Sequence, residues 1–361
     1  MSGHDDEQPI QIDDNDFVTT PPPRRWWRKK RLLWPLGALV AVVLIFLALR
    51  TPDTDHDAMI AKYGNSGGMT TFARGPAGQS IHYRDQGCRT CPAMVLLHGS
   101  NASLHTWEPL VARLGKQYRI VTLDLPGHGL TGSTPDGDYS PGGMMAAVDV
   151  VAAELELDRF ILGGNSMGGA VSWRYALAQP ARVEALLLLN ASGMPPRNGE
   201  KAPASNIGFR IMRYSVGRWL AGQITPRSLV KSSLEQSVSN RAIVTDAAVD
   251  RYWELLRFPG NRQATAKRAT LPRDAAMADR ISEITAPTFV LFGAEDRIIN
   301  PSAAQSFGER IAGSKVVLLP GIGHLPMEEA PDETATAIAA FLAQRRTEPP
   351  LLPVTPRPDT P

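Results

Sequence analysis

A serine, an acid and a histidine follow one another along this chain in an order that can support nucleophilic catalysis. Ser166 lies in residues 164–169, which read GNSMGG and contain the pattern Gly-x-Ser-x-Gly. His324 is the only histidine after Ser166, and Asp296 lies between them. A serine hydroxyl is a weak nucleophile, so it needs a base to take its proton and a group to orient that base. The order Ser, acid, His is typical of a serine on a sharp strand-to-helix turn.

The residues around Ser166 have the pattern of a strand, a tight turn and a helix. An apolar run leads into the motif, and residues 170–178 continue it with a helix-like pattern. Glycines tolerate the unusual backbone angles and the close contacts that such a turn requires. A second Gly-x-Ser-x-Gly at residues 64–68 has no strand before it and no helical pattern after it. We interpret that copy as a flexible linker, so the context selects Ser166.

The predicted base and acid each follow an apolar run that is typical of a buried strand. His324 comes shortly after residues 315–319 (KVVLL), on a Gly-rich loop, and we predict that it is the base. Asp296 and Glu295 follow residues 288–292 (TFVLF) in the same way. We favour Asp296, because its loop has the spacing Gly-x-x-Asp. Its carboxylate would fix the imidazole tautomer and stabilise the imidazolium.

Serine attack on an acyl carbonyl produces an oxyanion, which N–H donors must stabilise. Met167 directly follows the nucleophile, and its N–H is the first predicted donor. The second donor is expected from the loop after the apolar residues 93–97. We predict the N–H of Ser100 there, with Asn101 as the alternative. His98 opens this loop, and we expect it to hold the loop in shape rather than to react.

Strand-like runs alternate with helical patterns along most of the chain, whose 361 residues (43% hydrophobic) suffice for one large or two ordinary domains. The alternation predicts an α/β fold with a parallel, doubly wound sheet that is covered on both faces. Besides the run before Ser166, strands are expected at residues 69–74, 79–84, 93–97, 118–125, 183–189, 288–292 and 315–319. Helices are expected at residues 107–114, 140–157, 303–311 and 333–345.

Residues 194–280 interrupt this alternation. They contain helical patterns, such as those at 209–220 and 247–256, and no convincing strand. An insertion at the edge of a sheet where ligands bind predicts a helical cap. The cap has more than twice as many basic as acidic side chains, although the whole chain has a net charge of only +2. Two interpretations stay open: a solvated basic surface, or attraction to anionic headgroups or an acidic substrate.

The N-terminal residues predict a membrane anchor. Residues 1–31 are acidic and polar and end in a basic, Trp-rich cluster, which we expect to be a disordered cytoplasmic tail. Residues 32–49 carry no charge, and as a helix they would measure about 27 Å, close to the hydrocarbon core of a bilayer. A buried core helix rarely has such a basic flank, and a cleaved signal peptide would be shorter.

We therefore predict a single-pass signal anchor at residues 32–49, with the N-terminus in the cytoplasm and the catalytic domain outside. Residues 50–68 are expected to be a linker and residues 69–345 the catalytic domain. Residues 346–361 are rich in proline, which predicts a disordered tail.

Cys88 and Cys91 lie between two strand-like runs. They could form a disulfide in an oxidising compartment, stay as free thiols or act as a redox pair.

Several motifs together resemble the α/β-hydrolase superfamily. They are residues 98–100 (HGS), 124–129 (DLPGHG), 164–169 (GNSMGG), 293–296 (GAED) and 323–324 (GH). The resemblance runs from about residue 69 to residue 345 and implies an eight-stranded, mostly parallel sheet with a helical cap. It also implies a triad of Ser166, Asp296 and His324 and no cofactor. The Asn-Ser-Met elbow is similar to that of cap-bearing esterases and lipases and of meta-cleavage-product hydrolases. The meta-cleavage-product hydrolases usually have a longer Gly-rich oxyanion loop than residues 98–101 of this chain.

We therefore predict a membrane-anchored serine hydrolase that cleaves a carboxylic ester through an acyl-enzyme. The alternative enzyme hydrolyses a carbon–carbon or another acyl bond with the same triad, and a non-catalytic binding module is a third hypothesis. The expected partners are a small ester or acyl substrate, lipid-like or anionic, and a membrane, without nucleic acid or metal. Residues 127–132 formally match Gly-x-Gly-x-x-Gly, but a loop follows instead of a helix, so we predict no dinucleotide site.

Overall fold

A computed structural model of the chain describes residues 25–64, 71–194, 200, 214–272 and 276–347. An eight-stranded sheet forms its centre, with the strand order β1-β2-β4-β3-β5-β6-β7-β8. The strands are β1 (Thr71–Arg74), β2 (Ser80–Gly87), β3 (Ala93–Leu97), β4 (Arg119–Leu123), β5 (Phe160–Asn165), β6 (Val183–Leu189), β7 (Thr288–Gly293) and β8 (Lys315–Leu319). Each strand overlaps a segment that the sequence predicts as a strand. β8 is not buried as predicted: it lies at the edge of the sheet, where Val316 and Leu318 are exposed.

Most of the sheet is parallel. β1 pairs antiparallel with β2, and β2 pairs antiparallel with β4. All other neighbours, from β4 through β3 to β8, run parallel. Parallel neighbours need crossover connections and have both faces covered, which explains why β5, β6 and β7 consist largely of uninterrupted apolar residues. The carboxyl ends of these strands share one edge of the sheet.

Helices supply the crossovers and the cap. They are α1 (Arg25–Leu49), α2 (His56–Met59), α3 (Glu108–Leu114), α4 (Pro141–Glu154), α5 (Met167–Ala178), α6 (Ser215–Gln223), α7 (Arg227–Ser237), α8 (Asp246–Leu256), α9 (Asn261–Arg268), α10 (Ser302–Arg310), α11 (Pro326–Glu329) and α12 (Pro331–Thr347). The helix predicted over residues 140–157 ends at Glu154, because Glu156 takes a φ of 53° and redirects the chain.

Two apolar layers hold the sheet. One contains side chains of α4, α5 and α10, among them Val148, Trp173 and Phe307. The other contains side chains of α3 and α12, among them Leu110 and Phe341. Burying aliphatic and aromatic side chains of this size contributes about 1.5–3 kcal/mol each. The sheet is therefore a rigid base for the loops at its carboxyl edge.

The helical cap lies in the chain between β6 and β7 and contains α6, α7, α8 and α9. The helix predicted at residues 247–256 coincides with α8. The helix predicted at 209–220 corresponds to α6, which is described from Ser215 onward, while residues 201–213 lie outside the described residues. Val230, Leu234 and Val249 of the cap are buried in the same apolar layer as α3 and α12.

The N-terminal part differs from the prediction. The chain divides into two compact units, Met1–Arg50 and Thr51–Pro361. In the first, α1 begins at Arg25, so the last residues of the predicted disordered tail are helical. Within the part of the chain that the structure describes, no helix is both long and apolar enough to cross a membrane. The transmembrane helix predicted for residues 32–49 is therefore not supported.

The predicted linker is partly folded. Residues 56–64 form α2 and a π-helical turn (Ile60–Gly64), with Met59 and Tyr63 buried. These two apolar side chains attach the segment to the rest of the second unit, where they pack with Leu130 and Leu255. The second Gly-x-Ser-x-Gly copy lies almost wholly at residues 65–68, outside the described residues, as do residues 348–361 of the predicted C-terminal tail.

Cys88 and Cys91 form a disulfide, with their Cα atoms 5.3 Å apart. They lie in the short connection between β2 and β3. The sequence left open a disulfide, free thiols or a redox pair, and the structure shows the disulfide.

Candidate active site

Ser166 lies on a sharp turn between β5 and α5. Its backbone φ is 54° and its ψ is −116°, a strained conformation for a residue with a Cβ atom. The flanking glycines are needed because the chain packs closely here. A Cβ added at Gly168 would lie 2.2 Å from the Leu97 carbonyl oxygen, and one at Gly164 would lie 2.3 Å from the Gly168 backbone. The turn therefore fixes Ser166 between the carboxyl end of β5 and the N-terminus of α5.

Asp296 and His324 meet at the same edge of the sheet. Asp296 follows β7 and His324 follows β8, and these two strands are parallel neighbours. His324 Nδ1 lies 2.7 Å from Asp296 Oδ2, and both residues are buried. Since a carboxylate only accepts, Nδ1 is the donor, which leaves Nε2 able to take a proton. Glu295, the alternative acid, is exposed.

The Asp296 carboxylate is held in its ionised form. Burial by itself raises its pKa, but the electrostatic interaction with His324 and the hydrogen bonds to the carboxylate outweigh burial, so the pKa is lowered. Its Oδ1 accepts from the backbone N–H groups of Ile298 and Ile299, at 2.7 and 3.0 Å. An ionised, fully hydrogen-bonded carboxylate can orient the His324 ring without taking its proton.

Asn190 also binds Asp296, which the sequence did not predict. It follows β6 and has a φ of 45°. Its Nδ2 donates to Asp296 Oδ2 at 2.6 Å, and its Oδ1 accepts from the Gly293 N–H at 3.2 Å. A polar residue directly after the apolar run of β6, at the carboxyl edge, was the available signal. Asn190 thus positions the acid from a third strand.

Asn165 connects the serine turn to the histidine loop. Its Nδ2 donates to the His324 carbonyl oxygen at 3.0 Å and to the Leu189 carbonyl oxygen at 3.1 Å. This contact places the backbone of His324 against the residue that precedes Ser166. Among the described residues no hydrogen bond joins Ser166 to the His324 ring. Such bonds are often long before substrate binds and tighten afterwards.

The two predicted oxyanion donors lie on segments that flank Ser166. Met167 is the first residue of α5, where a backbone N–H has no partner within the helix. Ser100 follows β3, on a loop that runs beside the serine turn. A Cβ added at Gly99 would lie only 3.2 Å from Ser166 Cβ. Asn101, the alternative donor, has a φ of 59° and lies in a tight turn in which the Ala102 N–H donates to the Gly99 carbonyl oxygen at 3.3 Å.

His98 fixes the shape of this loop, as predicted. Its Nε2 accepts from the Leu125 N–H at 3.0 Å, and its Nδ1 donates to the Gly99 carbonyl oxygen at 2.7 Å. Burial lowers its pKa, so the ring is neutral. Both ring nitrogens are therefore used to hold backbone groups.

Glu329 connects the cap to the histidine loop, a role that no pattern in the sequence indicates. Its carboxylate accepts from the N–H groups of Ser239 and Asn240, at 3.0 and 2.9 Å, just beyond α7. It also accepts from the Gly323 N–H at 3.0 Å. The His324 N–H donates to the Ser237 carbonyl oxygen at 2.7 Å. The predicted base is thus held by cap residues as well as by the sheet.

The Glu329→Gln variant should lower kcat for an ester substrate by roughly 10- to 100-fold, because small displacements of a catalytic group cost that much. The carboxylate accepts hydrogen bonds from three backbone N–H groups. A glutamine amide would place its own N–H group opposite at least one of them, so that hydrogen bond would be lost. KM should change much less than kcat, which steady-state kinetics would measure. Glu333→Gln, at an exposed position of α12, is the matched control. Equal kinetics of the two variants would exclude the positioning role.

Comparison with known proteins identifies the family. A family model described as the alpha/beta hydrolase family matches residues 94–337. The chain belongs to the alpha/beta hydrolase family. The eight-stranded, mostly parallel sheet agrees with that fold, so the fold class predicted from the motifs is confirmed.

Proteins with similar sequences differ in their named activities. A monoacylglycerol lipase of Homo sapiens is 27% identical over 70% of this chain and 75% of its own length. A dihydrolipoyllysine-residue acetyltransferase component of the acetoin cleaving system of Pseudomonas putida is 29% identical over 85% of this chain and 80% of its own.

Two solved structures extend the comparison. A bacterial membrane phospholipase A has a TM-score of 0.65 at 25% identity, over 88% of this chain and 100% of its own. A meta-cleavage product hydrolase of Pseudomonas fluorescens has a TM-score of 0.64 at 21% identity, over 77% of this chain and 98% of its own. At that identity the second shows the shared fold alone.

Proposed function

We propose that this alpha/beta hydrolase is a serine esterase that cleaves a carboxylic ester through an acyl-enzyme. Ser166 attacks the carbonyl carbon, and His324 takes the hydroxyl proton and returns it to the leaving alcohol. Asp296 orients the imidazole and stabilises the imidazolium. The N–H groups of Met167 and Ser100 stabilise the oxyanion. A water activated by His324 then hydrolyses the acyl-enzyme and restores the serine.

The observation that carries this proposal is the combination of the strained serine turn with a buried His–Asp pair. Ser166 takes a φ of 54°, and His324 Nδ1 lies 2.7 Å from Asp296 Oδ2. Backbone strain of this kind costs on the order of 1–3 kcal/mol and persists where a site requires it. A binding module would need neither feature. The lipase and phospholipase among the similar proteins support an ester as the substrate.

A serine-directed fluorophosphonate probe tests the proposal on the full chain in mild detergent. We expect stoichiometric labelling that mass spectrometry locates at Ser166. The Ser66→Ala variant, in the second Gly-x-Ser-x-Gly copy, should label like the parent protein. If the full chain is not labelled, or if the label stays after Ser166→Ala, the proposed mechanism is wrong.

We also propose that the hydrolase unit acts outside the cytoplasm and is attached to a membrane through its N-terminal segment. The disulfide of Cys88 and Cys91 supports an oxidising compartment. In α1 the apolar side chains are largely exposed, including Trp34 at 80% and Val42 at 62%. A helical segment that is apolar around its circumference, as residues 34–49 are, is normally covered by protein or lipid.

Protease protection in cells that produce the full chain tests this placement. External protease should digest the hydrolase unit in intact cells, and alkaline carbonate should leave the chain in the membrane fraction. Digestion only after lysis, or release by carbonate, would overturn the placement.

A further inference from the structure

Arg268, the last residue of α9, reaches from the cap to the oxyanion loop. One of its terminal nitrogens, Nη2, donates to Ser100 Oγ, and the other donates to His128 Nε2 at 2.7 Å. One turn earlier, Thr265 donates to Asn101 Oδ1 at 3.2 Å. Helix α9 is therefore attached to the loop that carries the proposed Ser100 donor.

His128 does not add a charge at this position. Its Nδ1 lies 3.0 Å from the Pro126 carbonyl oxygen, which can only accept, so Nδ1 carries the proton and Nε2 accepts from Arg268. Burial and the charge of Arg268 lower its pKa well below the ordinary value. The ring of His98, whose centroid is 5.0 Å away, is neutral as well. Arg268 is thus the only charged side chain of these three.

The charge of Arg268 has no counter-ion among the described residues, because its guanidinium contacts a hydroxyl and a neutral ring there. Arg262, on the same helix, differs: its Nη2 donates to Asp53 Oδ1 at 2.6 Å. Burial lowers the pKa of Arg268 to about 10, so the guanidinium is still charged at neutral pH. A partly buried cation without a counter-ion is costly.

The guanidinium is close to the reaction and has donors to spare. It carries five N–H groups, and the contacts to Ser100 and His128 use only two of them. Because Ser100 Oγ and the Ser100 N–H belong to one residue, the guanidinium lies within about 9 Å of the proposed oxyanion position. If Arg268 only joined the cap to the loop, an uncharged hydrogen-bond donor would suffice. A cation beside the oxyanion loop that has no counter-ion among the described residues points to an anionic ligand.

We propose that Arg268 binds an anionic oxygen group of the substrate, a carboxylate or a phosphate, near the scissile carbonyl. This inference rests on the proposed ester hydrolysis at Ser166 and narrows its substrate class. The planar guanidinium fits both groups with paired hydrogen bonds. Of the two interpretations of the basic cap, Arg268 favours attraction to an acidic substrate.

Two matched substrate pairs test the proposal and separate the two anions. On the acyl side, p-nitrophenyl hemisuccinate is compared with neutral p-nitrophenyl butyrate. On the alcohol side, butyryl glycerol phosphate is compared with monobutyrin. The variants are Arg268→Met, Arg268→Lys and, as the control, Lys267→Met. Lys267 is the exposed neighbour on α9, so its loss changes the net charge equally.

We expect Arg268→Met to lower the anionic-to-neutral ratio of kcat/KM about 30-fold for at least one pair. Arg268→Lys should restore part of that ratio, and Lys267→Met should leave it unchanged. If Arg268→Met leaves the anionic-to-neutral ratio of kcat/KM unchanged, the proposal is overturned. This holds even if kcat/KM itself falls equally for both esters of a pair. A loss in the first pair alone would assign a carboxylate, and a loss in the second alone a phosphate.

Binding to the inactive Ser166→Ala protein separates this inference from the proposed function. Calorimetry with butyryl glycerol phosphate and hemisuccinate esters needs no turnover. If the parent enzyme hydrolyses neither pair while Arg268→Met abolishes binding in the Ser166→Ala background, the mechanism fails and the anion site holds. If the parent hydrolyses the neutral esters but Arg268→Met changes neither binding nor the ratio, the anion site fails alone.

Discussion

Ser166→Ala should lower kcat for p-nitrophenyl butyrate by roughly 10⁶-fold, the loss that follows removal of the nucleophile from a serine triad. The loss should be this large because no other group can form the acyl-enzyme. His324 would still be held by Asp296 at 2.7 Å, so the site should otherwise stay intact. Steady-state and single-turnover kinetics on the full chain would measure the effect.

Thermal unfolding provides a check on Ser166→Ala. Alanine at a φ of 54° is as strained as serine, so the melting temperature should change little. Ser66→Ala should keep the parent rate. Residual activity above about 1% in a purified Ser166→Ala preparation free of parent enzyme would show that another nucleophile does the chemistry.

Asp296→Asn should lower kcat by roughly 10⁴-fold, while the variant stays folded. In the parent protein Asp296 Oδ2 accepts from both His324 Nδ1 and Asn190 Nδ2. An asparagine amide group at that position would be a donor, which favours the imidazole tautomer with its proton on Nε2. That tautomer cannot take the proton of Ser166. Kinetics across the neutral pH range would measure the loss.

Glu295→Gln is the matched control for Asp296→Asn, because Glu295 is the neighbouring acid and is exposed. It should keep kcat within about twofold, as exposed substitutions generally have small effects. A large loss in Glu295→Gln together with a small loss in Asp296→Asn would exchange the roles of the two acids.

The sheet and the three proposed catalytic residues could be predicted from the sequence, because their signals are local. Most strands are short apolar runs, and Ser166, Asp296 and His324 each follow such a run. The chain order then assigns a role to each. The bounds of helices and strands differ by a few residues, as at α4, where a single residue with positive φ ends the helix.

The supporting contacts could not be predicted, because their partners are far apart in the chain. Asn190 and Asp296 are separated by 106 positions, and Arg268 and Ser100 by 168. Neither pair has a spacing pattern, since only the completed fold brings these side chains together. The folded part of residues 51–64 was missed for a related reason. Met59 and Tyr63 belong to a short, mainly apolar segment, residues 58–63 (AMIAKY), and their burial depends on the surface they meet.

Residues 51–54 lie against the cap through several hydrogen bonds. The Thr51 N–H donates to the Gln223 carbonyl oxygen at 2.9 Å, and the Thr54 N–H donates to the Arg257 carbonyl oxygen at 2.9 Å. Arg262 donates to the Thr51 carbonyl oxygen at 2.8 Å. Ordering a flexible backbone costs roughly 1–2 kcal/mol per residue in conformational entropy. These contacts order the ends of three cap helices when the protein folds. Less backbone entropy is therefore lost each time a ligand binds under the cap, so the cap is preorganised for binding.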